Sequence, residues 1–205
     1  MNVSNAVATR RATPSFDESV RMPKGELLRL MNEACLAPSS LNLQPWRFLI
    51  CETEEEKQRL HEASFRQRKI LQASAIVVVL GDLKHHENAP RIADGNVVRG
   101  YLAEQGRDEW VQRAYEAYSE NAVRSRDEAF RGGSLWAMTF MLLAKGAGWD
   151  TAPMGGFEPT KLAETFRLEE RYLPVLLVAI GKLNPEVELK PRGERLTAEE
   201  LVLNR

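Results

Sequence analysis

Hydrophobic residues recur every three or four positions in the segment from 23 to 37. Leu27, Leu30 and Met31 fall on one face of this segment, and charged residues such as Lys24 are left for solvent on the opposite face. This spacing is typical of an amphipathic helix. The pattern begins at a proline, which suits a first helical turn, and it ends before another proline.

Three runs rich in β-branched and aromatic residues predict strands, at Trp46–Cys51, 75–80 and 174–180. The second run is apolar at every position, as in a strand that is buried on both faces. A charged segment over 54–72 predicts a helix between the first two strands, and a short helix is predicted over 159–167.

The segment from 84 to 131 mixes dense charges with scattered aromatic side chains, and we expect a loop followed by helices. Gly132 and Gly133 are predicted to end this segment, and Ser134 is a suitable N-cap for a helix over 135–144. That helix is apolar on every face and is therefore expected at the centre of the core.

The stretch from 182 to 205 is polar, with a few apolar residues at intervals. Thr197 and Glu200 have the spacing of a capping box and predict a short terminal helix. A tail so poor in apolar residues cannot form its own core, so it must lie on another surface, and another subunit is one candidate. The alternation of strands and helices around one apolar helix indicates a single α+β or α/β domain.

Composition narrows the class of function. The chain has 205 residues, enough for one domain with a real core, and its 28 basic and 29 acidic residues give a net charge of −1. This balance speaks against nucleic-acid binding. The N-terminus does not resemble a signal peptide, and the longest apolar runs fall short of the roughly 20 residues of a membrane helix. Both observations predict a soluble cytoplasmic protein without a membrane partner.

Few side chains are candidates for catalysis. Of the three histidines, His61 lies in a predicted exposed helix and His85 and His86 in a polar loop, and none has a second ligand at metal spacing. The two cysteines fit neither a disulfide framework nor a zinc site. Phosphate-loop and serine-hydrolase motifs are absent. We therefore expect no catalytic side chain and no metal, and chemistry supplied by a cofactor.

Four polar stretches stand out at the ends of hydrophobic elements. They are Arg-Arg-Ala-Thr-Pro-Ser-Phe at 10–16, Pro-Ser-Ser-Leu-Asn-Leu-Gln-Pro-Trp at 38–46, Thr-Ala-Pro-Met-Gly-Gly-Phe at 151–157 and Lys-Pro-Arg at 190–192. Paired guanidiniums can hold a phosphate, uncharged amides and hydroxyls suit a heterocycle, and glycines let a flat ligand approach the backbone. Each stretch alone also fits an ordinary helix end, capped loop, turn or surface tail.

The order of these four stretches resembles the nitroreductase family of flavoproteins, and the Ser-Ser-x-Asn-x-Gln-Pro-Trp block is the most specific part. The resemblance spans nearly the whole chain and is weakest between about 83 and 132. It implies an α+β fold with a central mixed sheet flanked by helices, in a single domain over 1–205. Residues 83–131 would form a variable helical cover over a flavin pocket, and the C-terminal tail would extend onto a partner subunit.

The resemblance also implies a homodimer that binds FMN at its interface. Arg10, Arg11 and Thr13 would lie near the FMN phosphate, with Lys190 and Arg192 completing the clamp. The 38–44 loop would come from the other subunit, residues 153–156 would line the flavin ring, and Gln67 would meet its pyrimidine edge. The residues assigned to FMN are Arg10, Arg11, Thr13, Pro38, Ser39, Ser40, Asn42, Gln44, Gln67, Pro153, Met154, Gly155, Gly156, Lys190 and Arg192.

The activity implied by the resemblance is hydride transfer from NAD(P)H through FMN to a small acceptor such as a nitroaromatic, quinone or enal, in a ping-pong sequence. Two alternatives remain open at this point. The protein could be a flavoprotein of the same fold that acts as a dehydrogenase, a dehalogenase or a flavin-degrading enzyme. It could also be a non-enzymatic dimer that binds a small ligand.

Overall fold

The computed structural model describes residues 1–23 and 25–203. The solvent position expected for Lys24 and the last two residues of the predicted tail, 204 and 205, lie outside the described residues. The strands are β1 (Trp46–Cys51), β2 (Ala75–Asp82), β3 (Asp150–Met154) and β4 (Tyr172–Gly181). The helices are α1 (Val3–Thr9), α2 (Glu26–Ala34), α3 (Glu54–Glu62), α4 (Arg68–Gln72), α5 (Ala89–Val98), α6 (Arg107–Tyr118), α7 (Ala122–Gly146), α8 (Pro159–Phe166) and α9 (Ala198–Leu201).

The four strands form one sheet in the order β1-β2-β4-β3. Every neighbouring pair is antiparallel, where a mixed sheet was predicted. Among residues 1–23 and 25–203, parallel pairing is limited to an isolated bridge between Ala12 and Thr151, which lays the N-terminal segment along β3. All eight residues of β2 are buried, as its continuous apolar run predicts.

Helices cover both faces of the sheet, which confirms the α+β class. On one face, α2 and α7 contribute Leu30, Trp136 and Phe140 to a core that includes Val77 and Val79 of β2. On the other face, α3, α4 and α8 contribute Leu60, Ile70 and Leu162. In the part of the chain that the structure describes, no helix combines the length and the apolar character needed to cross a bilayer.

Helix α7 runs without a break through the two glycines that were predicted to end the preceding segment. It begins at Asn121, whose side chain accepts a hydrogen bond from the amide of Arg124, and Ser134 is an exposed position inside the helix. A Cβ atom at Gly132 would lie 2.4 Å from Cγ of Pro45, and one at Gly133 would lie 3.3 Å from a methyl group of Val175. The glycines therefore let the helix pack closely against its neighbours, and this packing overrides their low helix propensity.

One other prediction was wrong in its local structure. The helix predicted over 54–72 is divided into α3 and α4, because Phe65 and Arg66 adopt left-handed φ angles of 50° and 54°. The short strand β3, which contains Pro153, was not among the predicted strands. It lies at the edge of the sheet. A proline is tolerated in an edge strand because its missing backbone N–H leaves no neighbouring strand without a hydrogen bond.

Candidate functional site

The N-terminal and C-terminal polar stretches meet directly, although about 180 residues separate them. Nη2 of Arg11 donates hydrogen bonds to the carbonyl oxygens of Lys190, at 2.6 Å, and Pro191, at 3.3 Å. In return, Nη2 of Arg192 donates to the carbonyl oxygens of Ala8, at 2.6 Å, and Arg10, at 3.0 Å. Because α1 ends at Thr9, these carbonyls belong to the helix end and the extended chain beyond it. The two stretches thus form one cationic clasp.

The side chain of Arg10 in this clasp has two nitrogens that are buried without partners among the described residues. Its Nε and Nη1 atoms are buried and make no hydrogen bond within residues 1–23 and 25–203. Burial lowers the pKa of the Arg10 guanidinium, and the positive charges of Arg192 and Arg195 lower it further. A buried donor without an acceptor is costly, and an anion between these cations would remove that cost. The residues at the clasp therefore fit a phosphate group.

The Thr-Ala-Pro-Met-Gly-Gly stretch lies beside the clasp. The amide of Thr13 donates to the carbonyl oxygen of Thr151 at 3.0 Å, and the buried Oγ1 of Thr151 has no partner among the described residues. Thr151 begins the part of β3 that leads to Pro153 and Met154. Three residues of strand span about 10 Å, so β3 connects the clasp to the glycines that follow it.

The two glycines after β3 leave an open surface near Gln67. Nε2 of Gln67 donates to the carbonyl oxygen of Gly156 at 2.7 Å, and a Cβ atom on Gly156 would lie 3.3 Å from that nitrogen. A Cβ atom on Gly155 would meet no other atom within 4 Å. The structure thus brings the amide of Gln67 together with this stretch, through the left-handed turn that separates α3 from α4.

The loop over 38–46 is held in a strained conformation by its own polar groups. Leu41, Asn42 and Gln44 have left-handed φ angles of 50°, 52° and 49°. The amide of Gln44 donates to Oγ of Ser39 at 3.0 Å, and its side chain donates to the carbonyl oxygen of Asn42, also at 3.0 Å. Non-glycine residues adopt such angles only at a cost, which these bonds offset.

Two buried side chains from α6 and α7 fix the same loop. Glu128 accepts a hydrogen bond from the amide of Ser40 at 2.9 Å, and the hydroxyl of Tyr118 donates to Oγ of Ser40 at 2.7 Å. Glu128 also forms an ion pair with Arg131. Sequence reasoning missed both roles, because Glu128 lies in a segment that looks like a solvated charged helix. Nothing in the sequence pattern indicates that its carboxylate is buried.

His85 and His86, which were predicted in a polar loop, are buried in a 3₁₀ turn. The ring centre of His85 lies 4.5 Å from that of Tyr118, and the ring centre of His86 lies 5.0 Å from that of Tyr115. Both rings pack against α6, and Nδ1 of His85 lies 2.9 Å from the carbonyl oxygen of Asp82. In the described residues no group of three or more potential ligands could hold a metal ion.

The 38–46 loop and the other three stretches lie at opposite edges of the sheet. The loop leads into β1, whereas the N-terminal segment and the glycines adjoin β3, and two strands separate these edges. Strand spacings of about 4.8 Å place β1 and β3 at least 14 Å apart. Among the described residues, no hydrogen bond joins residues 38–44 to the clasp or to residues 153–156. One chain therefore assembles three of the four stretches.

Comparison with known proteins identifies the family of this chain. A model described as the nitroreductase family matches residues 7–182. The chain belongs to the nitroreductase family, as its four polar stretches predict.

Individual relatives cover nearly its whole length. A Bacillus subtilis protein named "Putative NAD(P)H nitroreductase YdgI" is 37% identical over 181 residues, which cover 86% of this chain and 86% of the relative. A solved structure from Exiguobacterium sibiricum, described as a "putative nitroreductase in complex with FMN", has a TM-score of 0.91 at 34% identity and covers 100% of this chain and 98% of its own. The "CLA biosynthesis enone reductase" of Lactiplantibacillus plantarum is 29% identical over 190 residues, covering 90% of this chain and 87% of the relative.

Proposed function

We propose that this protein is an FMN-dependent oxidoreductase that transfers a hydride from NAD(P)H to a small acceptor such as a nitroaromatic, a quinone or an enal. The observation that carries the proposal is the pair of buried, unpartnered nitrogens of Arg10 inside a cationic clasp. The FMN-bound relative and the relative named as an NAD(P)H nitroreductase support the cofactor and the hydride donor. The enone reductase supports an acceptor with an activated double bond.

The clasp residues are the proposed phosphate site. FMN phosphate carries nearly two negative charges, so several cations at one place suit it. Arg10 offers its free nitrogens, and Arg11 and Arg192 keep donors beyond the nitrogen that each uses on the backbone. Lys190 contributes a further charge, and the buried Thr13 lies next to them.

The flavin ring is proposed to lie along Pro153, Met154, Gly155 and Gly156, with Gln67 at one edge. The exposed Gly155 leaves room for a flat ring to approach the backbone. When bound, FMN would accept a hydride from NAD(P)H and release it to the acceptor, the two substrates using the same place in turn. The protein then needs to bind, orient and exclude water, and no side chain needs to form a covalent bond.

A second copy of the chain is proposed to complete the site with Pro38, Ser39, Ser40, Asn42 and Gln44. The opposite positions of β1 and β3 support this homodimer, because one chain holds its own loop and its own clasp at opposite edges of its sheet. Large apolar side chains that are exposed in one chain also support an interface, and they include Val3, Val7, Leu36, Leu135 and Met138. In the tail, Leu189, Leu196 and Leu201 are similarly exposed, and we propose that they pack on the partner.

We further propose a cytoplasmic location, where the free thiols of Cys35 and Cys51 would stay reduced.

The experiment is a visible absorption spectrum of the purified protein, taken before and after anaerobic addition of NADH or NADPH. The proposal expects a yellow protein whose flavin band is bleached by the nucleotide and restored by a quinone or a nitroaromatic. A yellow protein that leaves NAD(P)H unoxidised would instead indicate a flavoprotein of another activity. A colourless protein that takes up no added FMN would indicate a non-enzymatic dimer and would refute the proposal.

A further inference from the structure

A cleft of about 730 Å³ lies between the 38–46 loop and helix α5, outside the clasp and the glycine stretch. Arg47, Arg91 and Arg99 line it together with amide side chains that include Asn42 and Gln44. Within the part of the chain that the structure describes, no acidic residue lines this cleft. Such a concentration of one charge is unusual in a chain whose overall charge is −1. We call it the arginine cleft.

The three arginines do not play the same part. Arg47 forms a 2.8 Å ion pair with the buried carboxylate of Asp82 and donates to Oδ1 of Asn88 at 3.1 Å. Its side chain is therefore held in place, and its charge is compensated by Asp82. Arg91 is exposed and makes no hydrogen bond or ion pair with residues 1–23 or 25–203. Arg99 is exposed too, and within the described residues its side chain makes one hydrogen bond, to the carbonyl oxygen of Gly95 at 3.1 Å. Two guanidiniums, one on α5 and one at its C-terminal cap, therefore keep donors free for a ligand.

An apolar surface adjoins these cations. Trp46 and Phe48 of β1 line the arginine cleft on the side of the sheet and Ile92 lines it on the side of α5, and Trp46 is almost fully buried. Aromatic and aliphatic walls suit a flat organic ring, while planar guanidiniums match the two oxygens of a carboxylate or a phosphate. The arginine cleft thus combines the features that recognise a ring compound with an anionic group.

We propose that the arginine cleft binds the anionic group, a carboxylate or a phosphate, of a substrate of the redox site. The proposal rests on the proposed function, because Asn42 and Gln44 line the arginine cleft and also belong to the loop assigned to the flavin. A substrate anchored by Arg91 and Arg99 would therefore reach the flavin with its uncharged end. The anion has two possible sources, namely a carboxylate on the electron acceptor and the 2′-phosphate of NADPH.

The test compares matched substrate pairs in the Arg91→Gln, Arg99→Gln and double variants. For the acceptor, 4-nitrobenzoate is compared with its methyl ester at constant NADH. For the donor, NADPH is compared with NADH at a constant neutral quinone. We expect kcat/KM of either 4-nitrobenzoate or NADPH to fall about tenfold, mainly through KM, as for the loss of one charge-assisted hydrogen bond. The pair that responds identifies the source of the anion.

The matched control is Arg113→Gln, which removes one exposed positive charge from α6 outside the arginine cleft. It should leave both ratios, of 4-nitrobenzoate to its methyl ester and of NADPH to NADH, as they are in the unmodified protein. An equal response in the control would show a general field effect and would overturn the proposal. Unchanged ratios in the double variant would overturn it as well.

A binding measurement gives a readout that does not depend on turnover. Calorimetric titration of the FMN-loaded protein with 4-nitrobenzoate and with adenosine 2′-monophosphate should detect binding of at least one compound, and the double variant should lose that binding. If the unmodified protein binds neither compound, the arginine cleft is not an anion site. Flavin content and oxidation of NADH by the neutral acceptor report on the proposed function separately, so either idea can fail alone.

Discussion

Arg192 donates a 3.0 Å hydrogen bond to the carbonyl oxygen of Arg10, so the C-terminal tail holds the residue whose own guanidinium has two buried nitrogens without partners. The backbone of Arg10 is thus positioned by one cation while its side chain remains available. Such an arrangement keeps a charged group organised for an anion before that anion binds, which reduces the entropy lost on binding.

Replacing Arg192 with alanine should weaken FMN binding more than it weakens the fold. The variant loses the two backbone bonds and one positive charge at the clasp, and we expect the dissociation constant of FMN to rise by about tenfold to a hundredfold. The melting temperature of the flavin-free protein should change little, because Arg192 is exposed. Fluorescence titration with FMN and thermal unfolding measure the two effects. If the variant had a lower melting temperature but still bound FMN as tightly as the unmodified protein, the clasp would not be the phosphate site.

Replacing Arg10 with glutamine should have opposite effects on the two forms of the protein. Without FMN, the change removes a positive charge near Arg192 and Arg195, so the free energy of unfolding should stay equal or rise slightly, since solvent screens these partly exposed charges. With FMN, the variant should lose most of the stabilisation that the cofactor gives the unmodified protein. Urea unfolding with and without excess FMN makes the comparison. A variant that is destabilised without FMN, yet fully stabilised by it, would show that Arg10 serves the fold instead.

Replacing Gly132 with alanine should destabilise the protein by about 1–3 kcal/mol, because the new methyl group would overlap with Pro45. Gly146→Ala is the matched control in the same helix, since a Cβ atom there meets nothing within 4 Å. It should be neutral or stabilise by up to about 1 kcal/mol, the difference in helix propensity. Denaturant unfolding of both variants measures these values. A neutral Gly132→Ala would contradict the close contact between α7 and the start of β1.

The fold should lose stability as the pH falls from about 7.5 to about 5. Burial lowers the pKa of His85 and of His86, whereas an unfolded histidine has a pKa of about 6.5. The unfolded chain therefore takes up protons that the folded chain resists, and each histidine can contribute up to about 1.4 kcal/mol per pH unit. Comparing urea unfolding of the protein with that of His85→Phe across this range cancels the contributions of other groups. The variant should show the shallower slope, and an identical slope would exclude His85 as a source.

Elements with a clear hydrophobic pattern could be predicted from the sequence. The strand at Trp46–Cys51 has the predicted bounds, and the all-apolar run of β2 is buried at every position. Elements that depend on tertiary contacts could not be predicted in the same way. The glycines inside α7 look like a break until Pro45 and Val175 are seen to pack on them. Likewise, no glycine marks the left-handed turn at Phe65 and Arg66.

The site shows the same division. The order of the polar stretches was enough to predict the family, and the structure brings three of them together. The burial of individual polar groups could not be predicted, because it depends on neighbours that are distant in sequence. Glu128 looks like a solvated surface charge, yet it is buried under Ser40. The unpartnered nitrogens of Arg10 are equally invisible in the sequence.

The most direct test of a flavin site shared by two chains is FMN binding by a mixed dimer. One chain carries Arg10→Gln, which damages the clasp, and the other carries a double change of Ser39 and Asn42 to alanine, which damages the loop. The mixed dimer should contain one intact site, made from the clasp of the second chain and the loop of the first. We expect one tightly bound FMN per mixed dimer, while each parent dimer retains almost none. A mixed dimer that binds no more FMN than its parents would show that two chains do not share the flavin site in this way.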